Sequence, residues 1–232
     1  SPGQATGPSI RIIPGYPAPA YLGATYLGTY RTTAEIDADG VVGSVLGGPR
    51  YVDLDGNGAI NQLDFVVHGD PNPDFYGGLR NTLTYKDFTL DFFFHGSYGN
   101  EILNAAYHLG YFGRDPRSNL LPIVKDRWTT SNQNSDIPRA GSSFGNYQQR
   151  SDVSYQDGSF LRLKNVTLTY DLDIPGMKRA SIYLTGNNLL LFTKFTHGDP
   201  EQSNYGDGLA QGVANGGYPY NSSFALGFNL TL

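Results

Sequence analysis

The chain has 232 residues, room for one large domain or two small ones, with 13% aromatic residues, only 16% charged and a net charge of −5. That balance offers no basic field for nucleic acid, and no Lys/Arg cluster stands in the chain. With no Cys there is neither disulfide nor thiolate metal site, a composition suited to an oxidising cell envelope. The 30 Gly, 17 Tyr and 13 Phe favour strands joined by turns over helices. No stretch approaches the roughly 20 apolar residues of a spanning helix, and "SPGQATGPSIRIIPGYPAP" lacks the charged-then-apolar plan of a signal peptide. A negative mean hydropathy fits a soluble chain, and fits equally a membrane barrel whose strands alternate apolar and polar residues.

In chain order, "YLGATYLGTYR" predicts a first, weak strand with Tyr26 and Tyr30 on one side. "DLDGNGAINQLD" follows, matching the rule D-x-[DN]-x-[DN]-G with an acid six places on: Asp53, Asp55, Asn57, Gly58, Asp64. Oxygens at alternate positions wrap a hard cation, and Gly58 permits the sharp turn between them. The expected metal ligands are Asp53, Asp55, Asn57, the Ala59 carbonyl, Asn61 (directly or through water) and Asp64, holding a structural Ca²⁺. Asp64 is shorter than the Glu of a standard hand, so the expected affinity is modest, roughly 10⁻⁴–10⁻³ M as in extracellular modules. The flanks "GGPRYV" and "FVVHGDPNPDFYGG" are rich in Gly, Pro and β-formers, so no pair of helices holds this loop. The bland alternative is an Asx-rich turn.

"GGLRNTLTYKDFTLDFFFHG" predicts a hairpin turning at Lys86-Asp87, with Phe88, Leu90, Phe92 and Phe94 alternating. "SFLRLKNVTLTYDL" alternates through Val166, Leu168, Tyr170 and Leu172; "DIPGMK" turns; "RASIYLTGNNLLLF" returns the chain. In "SSFALGFNLTL", Phe224, Leu226, Phe228, Leu230 and Leu232 share one face and Ala225, Gly227, Asn229 and Thr231 the other. That is a period of two over about the 9–11 residues of a tilted membrane strand.

These are about six strands. Short connections near Lys86-Asp87 and Pro175-Gly176 alternate with long ones, about residues 34–75, 97–158 and 195–221. A transmembrane antiparallel β-barrel has this asymmetry, with short periplasmic turns and long extracellular loops; the cation loop then falls on the extracellular side. About six strands cannot close such a barrel, whose smallest members have about eight, and open edges are forbidden in lipid. The chain is therefore expected to be part of a larger wall. A secreted β-sandwich binding or adhesion module with a calcium loop is the alternative, in which Phe224, Leu226 and Phe228 lie buried against a second sheet.

The order "GTYRTTAEI", "RYVDLDGNGAINQLDFVVHGDPNPDFYGGLRNTLTYKDFTLDFFFHGSYGNEI", "GSFLRLKNVTLTYDL", "IYLTGNNLLLFTKF", "GDPE" and "GYPYNSSFALGFNLTL" resembles the C-terminal part of the SusC/RagA-type TonB-linked outer membrane proteins of the Bacteroidota. The resemblance covers essentially residues 1–232. It implies an all-β fold, the last strands of a barrel of roughly 22 with a plugged lumen, in the cell outer membrane. It implies import of glycans, oligopeptides or similar nutrients beneath a SusD-like surface lipoprotein, energised through TonB, ExbB and ExbD. The family's plug domain, TonB-box and signal peptide belong upstream and are not seen in these residues, so a fragment or an incomplete gene product is expected. The final Leu232 departs from the aromatic that ends many outer membrane proteins, while Gly227-x-x-Leu230-x-Leu232 still resembles the assembly signal.

No enzyme is expected. His68, His95, His108 and His197 lack zinc-site spacing, and there is no G-x-S-x-G elbow or phosphate cradle. Asp171 and Asp173 flank a turn beside Pro175, and "GDPE" at 198–201 reads as loop structure. Tyr107, Tyr111, Phe112, Trp128, Tyr205, Tyr218 and Tyr220 stand in predicted loops, where aromatics stack on ligands or pack the loops together; the substrate is not legible here.

Overall fold

A computed structural model describes residues 10–112, 119–141, 151–201 and 212–231. The elements run β1 (Ile10–Arg11), β2 (Ala20–Gly23), β3 (Tyr26–Thr29), α1 (Thr33–Asp39), β4 (Pro49–Tyr51), β5 (Val66–Gly69), β6 (Phe75–Tyr85), β7 (Phe88–Tyr98), β8 (Glu101–Asn104), α2 (Ala105–Phe112), β9 (Tyr155–Asp157), β10 (Phe160–Leu172), β11 (Arg179–Thr193), β12 (Val213–Ala214) and β13 (Ser223–Thr231). Two compact units interleave along the chain. The first holds Ser1–Pro71, Glu101–Gln156 and Gln202–Gly217; the second holds Asn72–Asn100, Asp157–Glu201 and Tyr218–Leu232.

The second unit is one antiparallel sheet in the order β13-β11-β10-β7-β6. Its strands are 9 to 15 residues long, enough for a tilted crossing of a bilayer. β6 and β7 close through the two-residue turn Lys86-Asp87, with Lys86 at φ 53. The short connections lie between β6 and β7 and between β10 and β11, the long ones between β7 and β10 and between β11 and β13, as the sequence predicts.

Register sorts the side chains into two unlike faces. Ile182 pairs with Phe228, Leu184 with Leu226, Leu168 with Leu90 and Val166 with Phe92, all on one side. Thr167 pairs with Thr185, Asn165 with Asn187 and Ser181 with Asn229 on the other. On the apolar side Phe224, Leu226, Phe228 and Leu230 are 60% to 71% exposed. The burial expected of a sandwich is thus not found, since among the described residues nothing covers these side chains. Gly227 stands under the ring of Tyr183, its cross-strand partner, so the glycine makes room for an aromatic on the polar side.

The first unit is built from small pieces: the sheets β1-β2-β5 and β12-β8-β9, the pair β3-β4 and the two short helices. One core joins Ile10, Tyr21, Leu103 and Val213, a second Ala24, Val41, Tyr51 and Ile60, and a third Tyr111, Phe112 and Ile137. Helix α1 starts at a reciprocal cap: Thr32 Oγ1 accepts from Glu35 N, and the Glu35 carboxylate accepts from Thr32 N. It stops at Gly40, whose left-handed φ of 64 lets its N–H reach the Ile36 carbonyl. Arg50 then grips Asp39 with two hydrogen bonds of 2.7 and 2.9 Å.

One expected strand is corrected. Residues 21–31 do not extend the large sheet; they form β2 and β3, which pair with β1, β5 and β4. Gly28 at φ 99 breaks the extended ladder, the register shifts beside it, and Tyr21 and Tyr30 turn into the interior of the first unit. The large sheet therefore has five strands among the described residues. Among those residues no helix is long and apolar enough to cross a membrane.

Candidate functional site

The loop at 53–64 lies between β4 and β5, with a single 3-10 turn (Gln62–Asp64) at its end, so helices do not flank it directly. Its own polar groups hold its shape. Asp53 accepts from Gly56 N at 2.9 Å and Gly58 N at 2.8 Å; Asp55 accepts from Asn57 N at 3.1 Å; Asn57 Oδ1 accepts from Ala59 N at 2.8 Å. Gly56 and Gly58 sit at φ 69 and 75, where a side chain would be strained. Fully buried Asp64 clasps the ends, accepting from Leu54 N and Asn61 N, both at 2.8 Å. Ile60 enters the core beside Val41, and Val42 N donates to Gly58 O at 2.8 Å, tying the loop to the segment after α1.

Asp53, Asp55 and Asp64 each offer a carboxylate oxygen, and these oxygens lie within 4.8 Å of one another. Oxygens on opposite sides of a Ca²⁺ stand about 4.6–5.2 Å apart, twice the usual Ca–O distance, so the donor set fits a calcium ion. The N–H of Gly58, then that of Gly56, hold the Asp53 carboxyl below the usual carboxylate range, which keeps it charged. Asn61 is used otherwise: its Oδ1 caps the 3-10 turn by accepting from Leu63 N at 2.9 Å, and its amide donates to the Ala59 carbonyl at 3.0 Å. The structure thus brings three of the expected ligands together and engages Asn61 and Ala59 with each other.

The second cluster lies on the polar side of the sheet. Arg162 of β10, 2% exposed, meets Asp199 at 2.6 Å and Glu201 at 2.5 Å; Asp199 is equally buried. Glu201 also reaches His95 Nε2 of β7 at 2.8 Å, and Tyr220 lies over both Arg162 and Lys164. Arg162, Lys164 and Asn165 share this side because of a bulge: Asn165 pairs with Asn187 but Leu163 with Leu190. "GDPE" is therefore a strap pinned across the polar face, as a loop reading requires, with Arg162 as its anchor. The sequence signal was two cations, Arg162 and Lys164, inside an otherwise apolar–polar strand. A polar ladder continues beside it, with Asn165 Nδ2 donating to Asn187 at 2.9 Å and Asn187 Nδ2 donating to Ser223 at 3.2 Å.

The loop aromatics divide. Tyr111, Phe112 and Trp128 are buried and pack the first unit, which rules them out as exposed stacking platforms. Tyr107 packs beside them, Tyr218 is exposed, and Tyr205 lies outside the described residues. Among the histidines, His68 Nε2 contacts the Gly23 carbonyl and its ring stacks on Tyr155, while buried His108 meets Ser154. Asp171 N donates to Asp87 O beside the hairpin turn.

No protein-family model matches the chain. It is 40% identical over 233 residues to TonB-dependent receptor P26 of Formosa agariphila, an alignment covering 96% of this chain and 23% of the receptor. It is 24% identical over 186 residues to TonB-dependent receptor SusC of Bacteroides thetaiotaomicron, covering 78% of this chain and 17% of that one. In three dimensions it matches the structure of the RagAB peptide transporter with a TM-score of 0.74 at 21% identity, over 98% of this chain and 25% of that one. The chain spans from 17% to 25% of the length of these relatives. They are receptors and transporters, not enzymes.

Proposed function

Because the chain is homologous over most of its length to TonB-dependent receptors of the SusC type, we propose that it is the C-terminal wall of an outer-membrane importer of glycans, oligopeptides or similar nutrients. The observation that carries this reading is the sheet's unlike pair of faces. Exposed Phe and Leu on one side suit hydrocarbon, and Thr, Asn, Arg and His on the other suit a wet lumen. The missing strands and the plug come from the remainder of a longer polypeptide, since open edges cannot stand in lipid. In this reading the loops are extracellular and meet a SusD-like lipoprotein, and the energy comes from TonB with ExbB and ExbD. Cells lacking the complete receptor should lose uptake of its nutrient and regain it on complementation, and a protonophore should stop the restored uptake. Restored uptake that survives the protonophore rejects TonB energy.

The loop at 53–64 is proposed to hold a structural Ca²⁺ through Asp53, Asp55 and Asp64, with Asn57 beside them. Its service is to fix β4, which precedes it, and the segment after α1 that is bonded to it through Val42 N and Gly58 O. Added Ca²⁺ should protect residues 45–70 of the complete receptor from proteolysis, and Asp55→Ala should remove that protection. Cleavage indifferent to calcium in the unaltered receptor returns the loop to a hydrogen-bonded turn.

A further inference from the structure

We propose that Asn215–Gly216 is a site of spontaneous deamidation, and that the same dipeptide in the 53–64 loop, Asn57–Gly58, is held back from it by the Asp53 carboxylate. This holds whether or not the loop takes a cation, and it is independent of the importer reading.

The chain has two Asn-Gly dipeptides. In such a pair the glycine nitrogen, which no Cβ shields, attacks the carbonyl carbon of the asparagine side chain. The bond from nitrogen to Cγ forms, the Cγ–Nδ2 bond breaks, and ammonia leaves with the proton that the glycine gives up. Water then opens the succinimide ring at either carbonyl. One opening leaves aspartate; the other leaves isoaspartate, with the side-chain methylene now inserted in the main chain. No oxidant, reductant or second protein takes part. The attacking nitrogen must first shed its proton, so the step is slow wherever that N–H is engaged and an anion stands beside it.

The two pairs are alike in sequence and in backbone. Both asparagines are exposed, and the two glycines share one conformation, with φ 75 at Gly58 and φ 76 at Gly216. They differ in their polar contacts. Gly58 N donates to Asp53 Oδ2 at 2.8 Å, so a nitrogen anion there would lose that bond and face a carboxylate. The Asn57 side chain is fastened as well: Nδ2 donates to Asp55 Oδ2 and Oδ1 accepts from Ala59 N, both at 2.8 Å. Its carbonyl carbon must break both contacts to swing onto the nitrogen. Asp53 holds the neighbouring Asp55–Gly56 pair in the same way, accepting from Gly56 N at 2.9 Å through Oδ1. In Asp-Gly the same ring closure expels water and regains it on opening, so one carboxylate restrains two reactive nitrogens. By contrast, neither Gly216 N nor the Asn215 side chain has a hydrogen-bond partner among the described residues. Isoaspartate at 57 would put the loop's oxygen donors out of step, whereas at 215 it falls in the exposed turn after β12.

The test uses the complete receptor, folded in detergent and held at mildly alkaline pH with EDTA, so that no cation masks Asp53. A second sample is kept unfolded in guanidinium. Deamidation at each asparagine is followed over time by mass spectrometry of proteolytic peptides, and heat-resistant gel mobility checks that each variant is folded. In the folded receptor Asn215 should convert at least about tenfold faster than Asn57, because an N–H bonded to a charged group must be released first. In guanidinium the gap should close. Asp53→Ala should bring Asn57 up toward the rate of Asn215 and leave Asn215 unchanged. Asp64→Asn, which loosens the clasp of the loop but leaves Gly58 N on Asp53, should keep Asn57 slow. Equal rates at the two sites in the folded receptor, or an Asn215 that stays intact, overturn the proposal. So does a slower Asn57 in Asp53→Ala, which would make the carboxylate a base in place of a guard. Equal acceleration in Asp64→Asn overturns it too, since protection would then belong to the loop's rigidity and not to Asp53.

Discussion

The two units use the same aromatic and aliphatic residues in opposite ways. In the first, Tyr21, Tyr30, Tyr51 and Trp128 are buried in its interior. In the second, Phe224, Leu226, Phe228 and Leu184 point outward, and the charges of Arg162 and Asp199 are the groups shut away. A residue goes where its surroundings are least costly, so an inverted distribution marks an inverted solvent. The first unit keeps its cores inside, as a water-soluble fold does. On the proposed reading the sheet stands between hydrocarbon and a polar interior, where the costly element is a charge without a partner.

The largest break in this comparison should come from the inside of the sheet. Arg162→Met leaves buried Asp199 without its cation, with only Lys164 and His95 still near Glu201, and should cost the complete receptor about 3–5 kcal/mol in a urea titration. Adding Asp199→Asn and Glu201→Gln should return most of it, because the unpaired charge and not the lost contact sets the cost. A single variant as stable as wild type would mean that water reaches the strap freely.

Next in size is the outer face. Phe228→Lys should cost about 2–4 kcal/mol near the bilayer midplane, with Asn229→Lys, one residue along and on the other side, close to neutral. Equal effects from both would erase the distinction between the faces.

The smallest effect sharpens the contrast from the side of the first unit. Backbone N–H groups of Arg31 and Thr32 hold the Glu35 carboxyl below its usual range, and the Arg50 hydrogen bonds do the same for Asp39. A carboxylate with a depressed folded pKa adds stability that is fully present above its unfolded value, about 4, and is lost as pH falls through the folded value. Amide exchange around residues 30–58 should therefore quicken below about pH 4, after correction for intrinsic rates, while the ladders of the large sheet stay protected. Uniform quickening across both units would show one cooperative body in place of two differently held ones.

How much of this was legible follows from the range of each signal. Period-two alternation is local, so β6, β7, β10, β11 and β13 and their faces could be read from residues such as Phe224 to Leu230 alone. The spacing of Asp53, Asp55 and Asn57 is equally local, and the loop closed as its glycines require. The capping box Thr32-x-x-Glu35 was also there to be read, and a long-loop reading of 34–75 passed over α1. The stretch "YLGATYLGTYR" misled because alternation in a short Gly-rich run does not say which neighbour it pairs with.

Away from the bulge beside Lys164, the sequence by itself determined which side chains share a face and where the turns fall, because both depend on backbone geometry over a few residues. Only the tertiary structure decided that Arg162 meets Asp199, that Asn61 caps a turn and bonds Ala59, that Trp128 is buried, and that Gly77 stands opposite Gly96. Those facts join residues tens of positions apart or choose between partners of equal chemistry, and pairing at a distance is settled by register and packing, which no local pattern encodes.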